Sequence, residues 1–343
     1  MLFLVSCVDL QITSSIVPDD SDAFDLTEIQ KINWGNNFMI SANIDKSVYL
    51  TPLTIDDYIR MRVSISDSTV DLTNADLYIF EDGNKKGFVI DKLSTIRSKI
   101  DIVIILDTTG SMGGAITGVK NSIIAFAEFL NDSGLDVRLA IIPYDDYAPA
   151  NDITIDGNTR TWLNLSSPAD ASVYANKLYA SGGAGTPENS YEGFIFAWNE
   201  LSWRDRSEKI FINITDAPSH YFEDGQSDSG RSHTEWKTKA EVLSLIRGKG
   251  VIHTVLTGYM FNATQTDFSN PGDARSLSVD TGGMILYEPS GNVDLTTVGI
   301  AESIVNSYIL TFKSTSSSEN HEIELFVKDG EKEGKLILQQ VEY

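Results

Sequence analysis

Three places in the chain gather oxygen-bearing side chains at spacings that could hold a hard cation. The first is Asp101-Ile-Val-Ile-Ile-Leu-Asp-Thr-Thr-Gly-Ser-Met112. Its unbroken apolar run, Ile102 to Leu106, reads as a strand buried on both faces. It ends at Asp107, and Thr109 and Ser111 follow at a spacing of two, with Gly110 free to turn the backbone between them. A carboxylate and two hydroxyls crowded behind a central strand form an oxygen set of the kind Mg2+ prefers. The same residues are also ordinary strand-end and cap residues. The second place is Gly182-Gly-Ala-Gly-Thr-Pro-Glu188, a flexible loop that presents Thr186 and Glu188 and from which a helix is expected to start at Pro187. An N-cap hydroxyl and a first-turn acid are the alternative roles for that pair. The third is the apolar strand Lys209-Ile-Phe-Ile-Asn-Ile-Thr, closed by Asp216. Two carboxylates closing neighbouring strands repel each other unless a cation lies between them.

The elements that must position these groups alternate strand and helix. Strands are expected at 102–106, 137–142, 209–215, 251–257 and 284–287. Helices are expected at 115–130, 169–178, 191–201, 235–247, 273–280 and 295–307. Repeated strand–helix units imply an α/β fold, a doubly wound and mostly parallel sheet with sites at the carboxyl ends of its strands. The flanks differ. Residues 38–44, 59–65 and 75–80 before this region, and 308–313, 322–328 and 335–341 after it, alternate apolar and polar residues between turns, which reads as antiparallel β. In Ile59-Arg-Met-Arg-Val-Ser-Ile65, Met61, Val63 and Ile65 share one face, and Arg60, Arg62 and Ser64 the other. A few strands at each end make a thin sheet. We therefore expect one β-sandwich built from both chain ends, with the α/β region inserted; two separate small β units would show the same pattern. The boundaries expected are 1–29 for a leader and tether, 30–97 and 307–343 for the sandwich, and 98–306 for the insert.

With 49 Asp and Glu against 26 Lys and Arg, the chain carries a net charge of −23. That balance argues against nucleic acid and anionic membrane surfaces as partners, since both need basic residues to displace counterions. The single cysteine, Cys7, permits no intrachain disulfide, and no apolar run reaches the length of a membrane span. Enzyme chemistry finds little footing. A phosphoryl-transferring Asp of the haloacid-dehalogenase type needs a second Asp two positions on, where this chain has Thr109. No phosphate-binding glycine loop is present. His220, His233, His253 and His321 lack metalloprotease spacing; His253 sits in a core-strand pattern, while His220 and His233 follow Asp216. Tyr144, Tyr147 and Tyr221 are candidates to line a ligand face.

Taken together, the three segments resemble the von Willebrand factor type A (VWA) family and its metal-ion-dependent adhesion site. That family combines a D-x-S/T-x-S loop, a threonine in a glycine-rich loop and an aspartate closing a later strand. The matching residues here are Asp107, Thr109 and Ser111, then Thr186, then Asp216. The resemblance covers residues 98–306. It implies direct ligation by Thr109, Ser111 and Thr186, the two aspartates acting partly through water, and a vacant position for a ligand's carboxylate. The ion implied is Mg2+, with Mn2+ or Ca2+ as alternatives. In the integrin β branch an acid at the Glu188 position joins the shell. The acids that hold a second cation in that branch are replaced by Gly113 and Gly114, so no second ion is expected. Tyr78-Ile-Phe-Glu-Asp-Gly83 looks similar to the strand preceding such an insert. Leu4-Val-Ser-Cys7 resembles the lipobox of bacterial lipoproteins behind a shortened leader, which would make Cys7 a lipid anchor. The resulting expectation is a non-enzymatic adhesion or protein-binding module at a bacterial cell surface, its partner a protein presenting a carboxylate. The alternative is an intracellular VWA adaptor in a multiprotein assembly beside an ATPase.

Overall fold

In a computed structural model of the chain, the described residues are 17, 20, 34–35, 37–44, 58–67, 69–92, 99–150, 153–155, 158–183, 185–205, 207–226, 232, 234–258, 263–297, 299–314 and 320–341. Five short strands come first: β1 (Ile40–Ile44), β2 (Tyr58–Ile65), β3 (Asp76–Glu81), β4 (Asn84–Lys85) and β5 (Phe88–Lys92). The strand that precedes the α/β region is therefore Phe88–Lys92 and not the Tyr78 segment, which forms β3 in a different sheet.

The central region runs β6 (Lys99–Asp107), α1 (Gly113–Asp132), β7 (Asp136–Tyr144), the small hairpin β8 (Ile153–Ile155) and β9 (Asn158–Arg160), and β10 (Leu163–Ser166). It continues with α2 (Pro168–Ala175), α3 (Ser190–Glu200), β11 (Glu208–Thr215), α4 (Lys239–Ile246), β12 (Val251–Thr257), α5 (Arg275–Thr281), β13 (Ile285–Glu288) and α6 (Ile300–Val305). Six strands form one sheet in the order β10-β7-β6-β11-β12-β13. All neighbours are parallel except β10, which pairs antiparallel with β7 at the edge. β10 lies in a stretch expected to be loop, because four residues at a sheet edge carry too little alternation to stand out.

The sheet is apolar on both sides because helices cover both. Ile102, Ile104 and Leu106 of β6 face a core shared with α1, α2 and α6; Val103 and Ile105 face a second core with α3, α4 and α5. Helix α1 buries Ile116, Val119, Ile123, Phe126 and Leu130, a stripe at helical spacing. It approaches the loop before α6 so closely that a Cβ on Gly118 would lie 2.3 Å from the Val293 carbonyl oxygen. That loop also explains why the last helix is shorter than the pattern 295–307 suggests. Leu295 donates its N–H to Ser122 Oγ (3.0 Å), and Asp294 Oδ1 accepts from the Thr296 N–H (2.9 Å), a turn that keeps the backbone out of a helix until Ile300. Similarly α4 starts at Lys239, set by a capping box between Thr238 and Glu241.

The chain then returns through β14 (Ser307–Lys313), β15 (His321–Asp329) and β16 (Lys332–Val341). These join the first strands in two antiparallel four-stranded sheets, β1-β2-β14-β5 and β16-β15-β3-β4. Met61, Val63, Leu310 and Phe312 of the first and Ile79, Ile323 and Leu325 of the second belong to a single apolar cluster. The opposite face of β2 is not solvated as its polar residues suggest: Arg62 and Ser64 are buried. Arg62 Nη2 donates to Ser307 Oγ (2.9 Å) and its Nε lies 3.3 Å from Glu208 Oε1, where β11 begins. Among the described residues, no helix is long and apolar enough to cross a membrane.

Candidate cation site at a strand-order reversal

From β6 the chain winds outward one way through β7 to β10, then returns to the other side of β6 and continues outward through β11, β12 and β13. The loops leaving the carboxyl ends of β6 and β11 therefore depart in opposite directions, and a crevice opens between them. Asp107 closes β6 and Asp216 follows β11, so these two candidates stand at that crevice.

Asp107 is fully buried. Its Oδ1 accepts from the Thr109 N–H (3.0 Å) and the Thr109 hydroxyl (2.7 Å), and its Oδ2 accepts from the Thr215 hydroxyl (2.8 Å). Burial, reinforced by the charge of Asp216, pushes its carboxyl up to about 6 against the pull of those hydrogen bonds. Thr109 is buried and Ser111 exposed, their hydroxyl oxygens 3.5 Å apart on the short 3-10 turn Gly110–Met112 that leads into α1.

The glycine loop lies against this turn. Ser181 donates its N–H to the Thr108 carbonyl (2.8 Å) and Gly110 donates to Gly182 O (3.3 Å). Gly183 has φ +80°, and a Cβ there would sit 3.0 Å from both Glu188 Oε1 and Thr109 Cγ2. Glycine is thus required for conformation and for space, and Thr109 and Glu188 flank the same residue. Thr186 is exposed two positions before Glu188. The helix does not start at Pro187 as expected; α3 begins at Ser190. Glu188 is instead held extended beside the loop after β11: its N–H donates to Pro218 O (2.9 Å) and its carbonyl accepts from the His220 N–H (2.6 Å).

Glu188 is 3% exposed, and its Oε2 has no hydrogen-bond partner. Burial raises its carboxyl to about 9, and the charges that act on it most strongly are all negative: Asp107, Asp146, Asp145 and Asp216. Asp145 and Asp146 were not among the residues singled out. They follow the end of β7, next to β6, so the signal available was the same one that marked Asp107: acids directly after an apolar strand. Burial also raises Asp145, whose Oδ1 accepts from the Tyr147 N–H (2.8 Å). Thr215 is a second omission; its position in a strand of apolar residues hides a hydroxyl that orients Asp107.

The tyrosines and histidines are placed differently: Tyr144 stays beside the site, close enough for the charges of Asp107, Glu188 and Asp216 to act on its hydroxyl. Tyr144 lines no ligand face: it is fully buried, and its hydroxyl donates to Asn213 Oδ1 (3.3 Å). Tyr147 is exposed. His220 is buried, stacked on Trp236 at 4.2 Å with its Nδ1 2.6 Å from Asp224 Oδ2. His253 is a packed core histidine, as its strand pattern implies, its Nδ1 accepting from the Met284 N–H (3.2 Å). Cys7 and His233 lie outside the described residues. Among the described residues, no three His, Cys, Asp or Glu side chains form a metal-holding group by themselves.

No protein-family profile matches the chain. It is 30% identical over 123 residues to the alpha-protein kinase vwkA of Dictyostelium discoideum, covering 35% of this chain and 19% of that protein. It is 27% identical over 135 residues to a putative ariadne-like RING finger protein, R811, of Acanthamoeba polyphaga mimivirus, covering 39% and 13%. The chain thus spans only a small part of the curated relatives it matches. Similar solved structures include the conserved hypothetical protein BatB from Bacteroides thetaiotaomicron, with a TM-score of 0.38 and 14% identity over 60% of this chain and 98% of that one. The pilus adhesin SpaC from Lactobacillus rhamnosus GG overlaps with a TM-score of 0.40 and 10% identity, covering 89% and 48%. Manganese-loaded TRAP protein from Plasmodium vivax gives 0.32 and 10%, covering 79% and 100%.

Proposed function

We propose that residues 98–306 are a VWA-type module, carried on a β-sandwich made from both chain ends, that binds proteins through a divalent cation. One observation carries the reading: Glu188 Oε2 is buried without a partner among like charges, at the crevice where Asp107, Thr109 and Ser111 also converge. A buried carboxyl left unsatisfied is costly; the neighbouring charges keep it protonated, and a cation that displaces the proton would supply the missing contact. The donors suit a small hard ion such as Mg2+, with Mn2+ or Ca2+ as alternatives, because all are oxygen and several are neutral. Thr109, Ser111 and Thr186 supply hydroxyls. Asp107, with both oxygens already accepting hydrogen bonds, acts with Asp216 through water; Glu188 is the anionic ligand. When bound, the ion supplies an electrophilic position that an acidic side chain of a partner protein can fill. The module is not an enzyme in this reading; it works at the cell surface, with Cys7 as its lipid anchor.

Titration with Mg2+, Mn2+ and Ca2+ in turn, followed by calorimetry and thermal unfolding, tests the proposal. Binding should stabilise the fold by about 2.7 kcal/mol at roughly a hundredfold excess of free ion over Kd. Asp107→Ala should remain folded and lose that response. Equal melting with each of the three ions and with a chelator would overturn the proposal.

A further inference from the structure

A second cluster lies at the edge of the sheet β16-β15-β3-β4, independent of the cation site. Lys86 follows β4, its backbone N–H donating to Ile79 O (2.9 Å), and its side chain is fully enclosed. Nζ sits 3.0 Å from Oε2 of Glu81, itself 1% exposed, and 3.2 Å from Oδ2 of Asp20. Asp20 comes from the N-terminal stretch, 66 positions earlier in the chain. The two carboxyls are held differently. Oε1 of Glu81 accepts from the Ser314 hydroxyl (2.5 Å) and lies 3.7 Å from His321 Nδ1. Oδ1 of Asp20 accepts from the Gly87 N–H (3.0 Å).

We propose that this is a self-modification site, at which Lys86 Nζ and the Asp20 side chain condense to an amide cross-link. The Lys86 amine is enclosed while the Asp20 side chain stays 34% exposed, and Nζ stands 3.2 Å from Oδ2, which brings the amine to the carboxyl it would attack. In the reaction the Lys86 ammonium passes a proton to Glu81, leaving a neutral amine. As Glu81 hands that proton on to Oδ2, Nζ forms a bond to Cγ of Asp20. The negative charge that develops falls on Oδ1, where the Gly87 N–H is already aimed. Oδ2, on the side of Nζ and Glu81, leaves: Glu81 relays two protons from nitrogen to it, the Cγ–Oδ2 bond breaks, and water departs. Glu81 ends as it began, a carboxylate, so the reaction balances with no other reactant. Lys86 is the nucleophile, Asp20 the electrophile and Glu81 the general acid–base.

The intact mass of the purified full chain reads the outcome directly. The folded protein should be lighter than its sequence by one water, and proteolysis should release a branched peptide joining the segments that carry Asp20 and Lys86. Asp20→Ala should show the full mass. Asp20→Asn should lose ammonia in place of water, a change of leaving group that no structural role for Asp20 would produce. Glu81→Gln should leave the link unformed. If Glu81→Gln fails to fold, the water-for-ammonia exchange still decides. A folded wild-type chain at full mass after prolonged incubation overturns the proposal, as does a water loss that survives Asp20→Ala.

Discussion

Cation binding should expel a proton, and the number expelled distinguishes whether Glu188 enters the coordination shell. Glu188 titrates at about 9 and Asp107 at about 6 without the ion. At about pH 7, Glu188 therefore carries its proton almost completely, while Asp107 is roughly nine-tenths ionised. A cation that requires both groups ionised displaces about one proton, nearly all of it from Glu188. If Glu188 stays outside, only the small protonated share of Asp107 is released. The sign is definite: both pKa values are raised, so the proton competes with the cation, and affinity should climb by about tenfold per pH unit from roughly pH 7 to 9. Calorimetric titration in two buffers of different ionisation enthalpy measures the release. Glu188→Gln should bind with almost no release and with a flat pH dependence over that range. Binding whose heat is the same in both buffers, for the wild-type chain, would refute ligation by Glu188.

Two further outcomes follow from single residues. Burial first, and then the charge of Arg62, hold His253 down at about 3. The unfolded chain takes up a proton near 6.5 while the native one does not, so stability is fully present above that pH and declines by about 1.4 kcal/mol per unit as pH falls towards 3. His253→Asn keeps an acceptor for the Met284 N–H and should flatten this slope in urea unfolding; an unchanged slope would assign the acid sensitivity elsewhere. Gly183→Ala should cost roughly 1–2 kcal/mol from its positive φ alone and, by pressing on Glu188 Oε1 and Thr109, weaken cation affinity beyond that loss. A variant that binds Mg2+ like the wild type would show that Glu188 and Thr109 do not share a ligand.

Much of the α/β region was legible along the chain because its signals are local. The five-residue apolar run of β6 announces a strand covered on both faces, the stripe from Ile116 to Leu130 announces a helix, and Asp107, Thr109 and Ser111 declare a polar loop wherever that strand lies. Element ends were harder. They depend on single hydrogen bonds, such as that of Leu295 to Ser122, made to residues far away in sequence.

Depth and adjacency belonged to the tertiary structure. Nothing near Tyr144 in the chain distinguishes a ligand-facing tyrosine from one sealed under the sheet; the packing of α3 against β7 does that. Arg62 looks solvated in an alternating strand, and becomes buried only because β11 and β14 close over it. The weakened acidity of Glu188 and the enclosure of Lys86 arise in the same way, from charges and walls contributed by distant segments. Sequence alone determined which residues carry oxygen and which stretches must be buried, since side-chain chemistry and hydropathy period are properties of a short window. Strand order decided which of those oxygens meet, because Asp107 and Asp216 become neighbours only when β11 returns to lie beside β6, and that pairing is set by how helices cover both faces of the sheet.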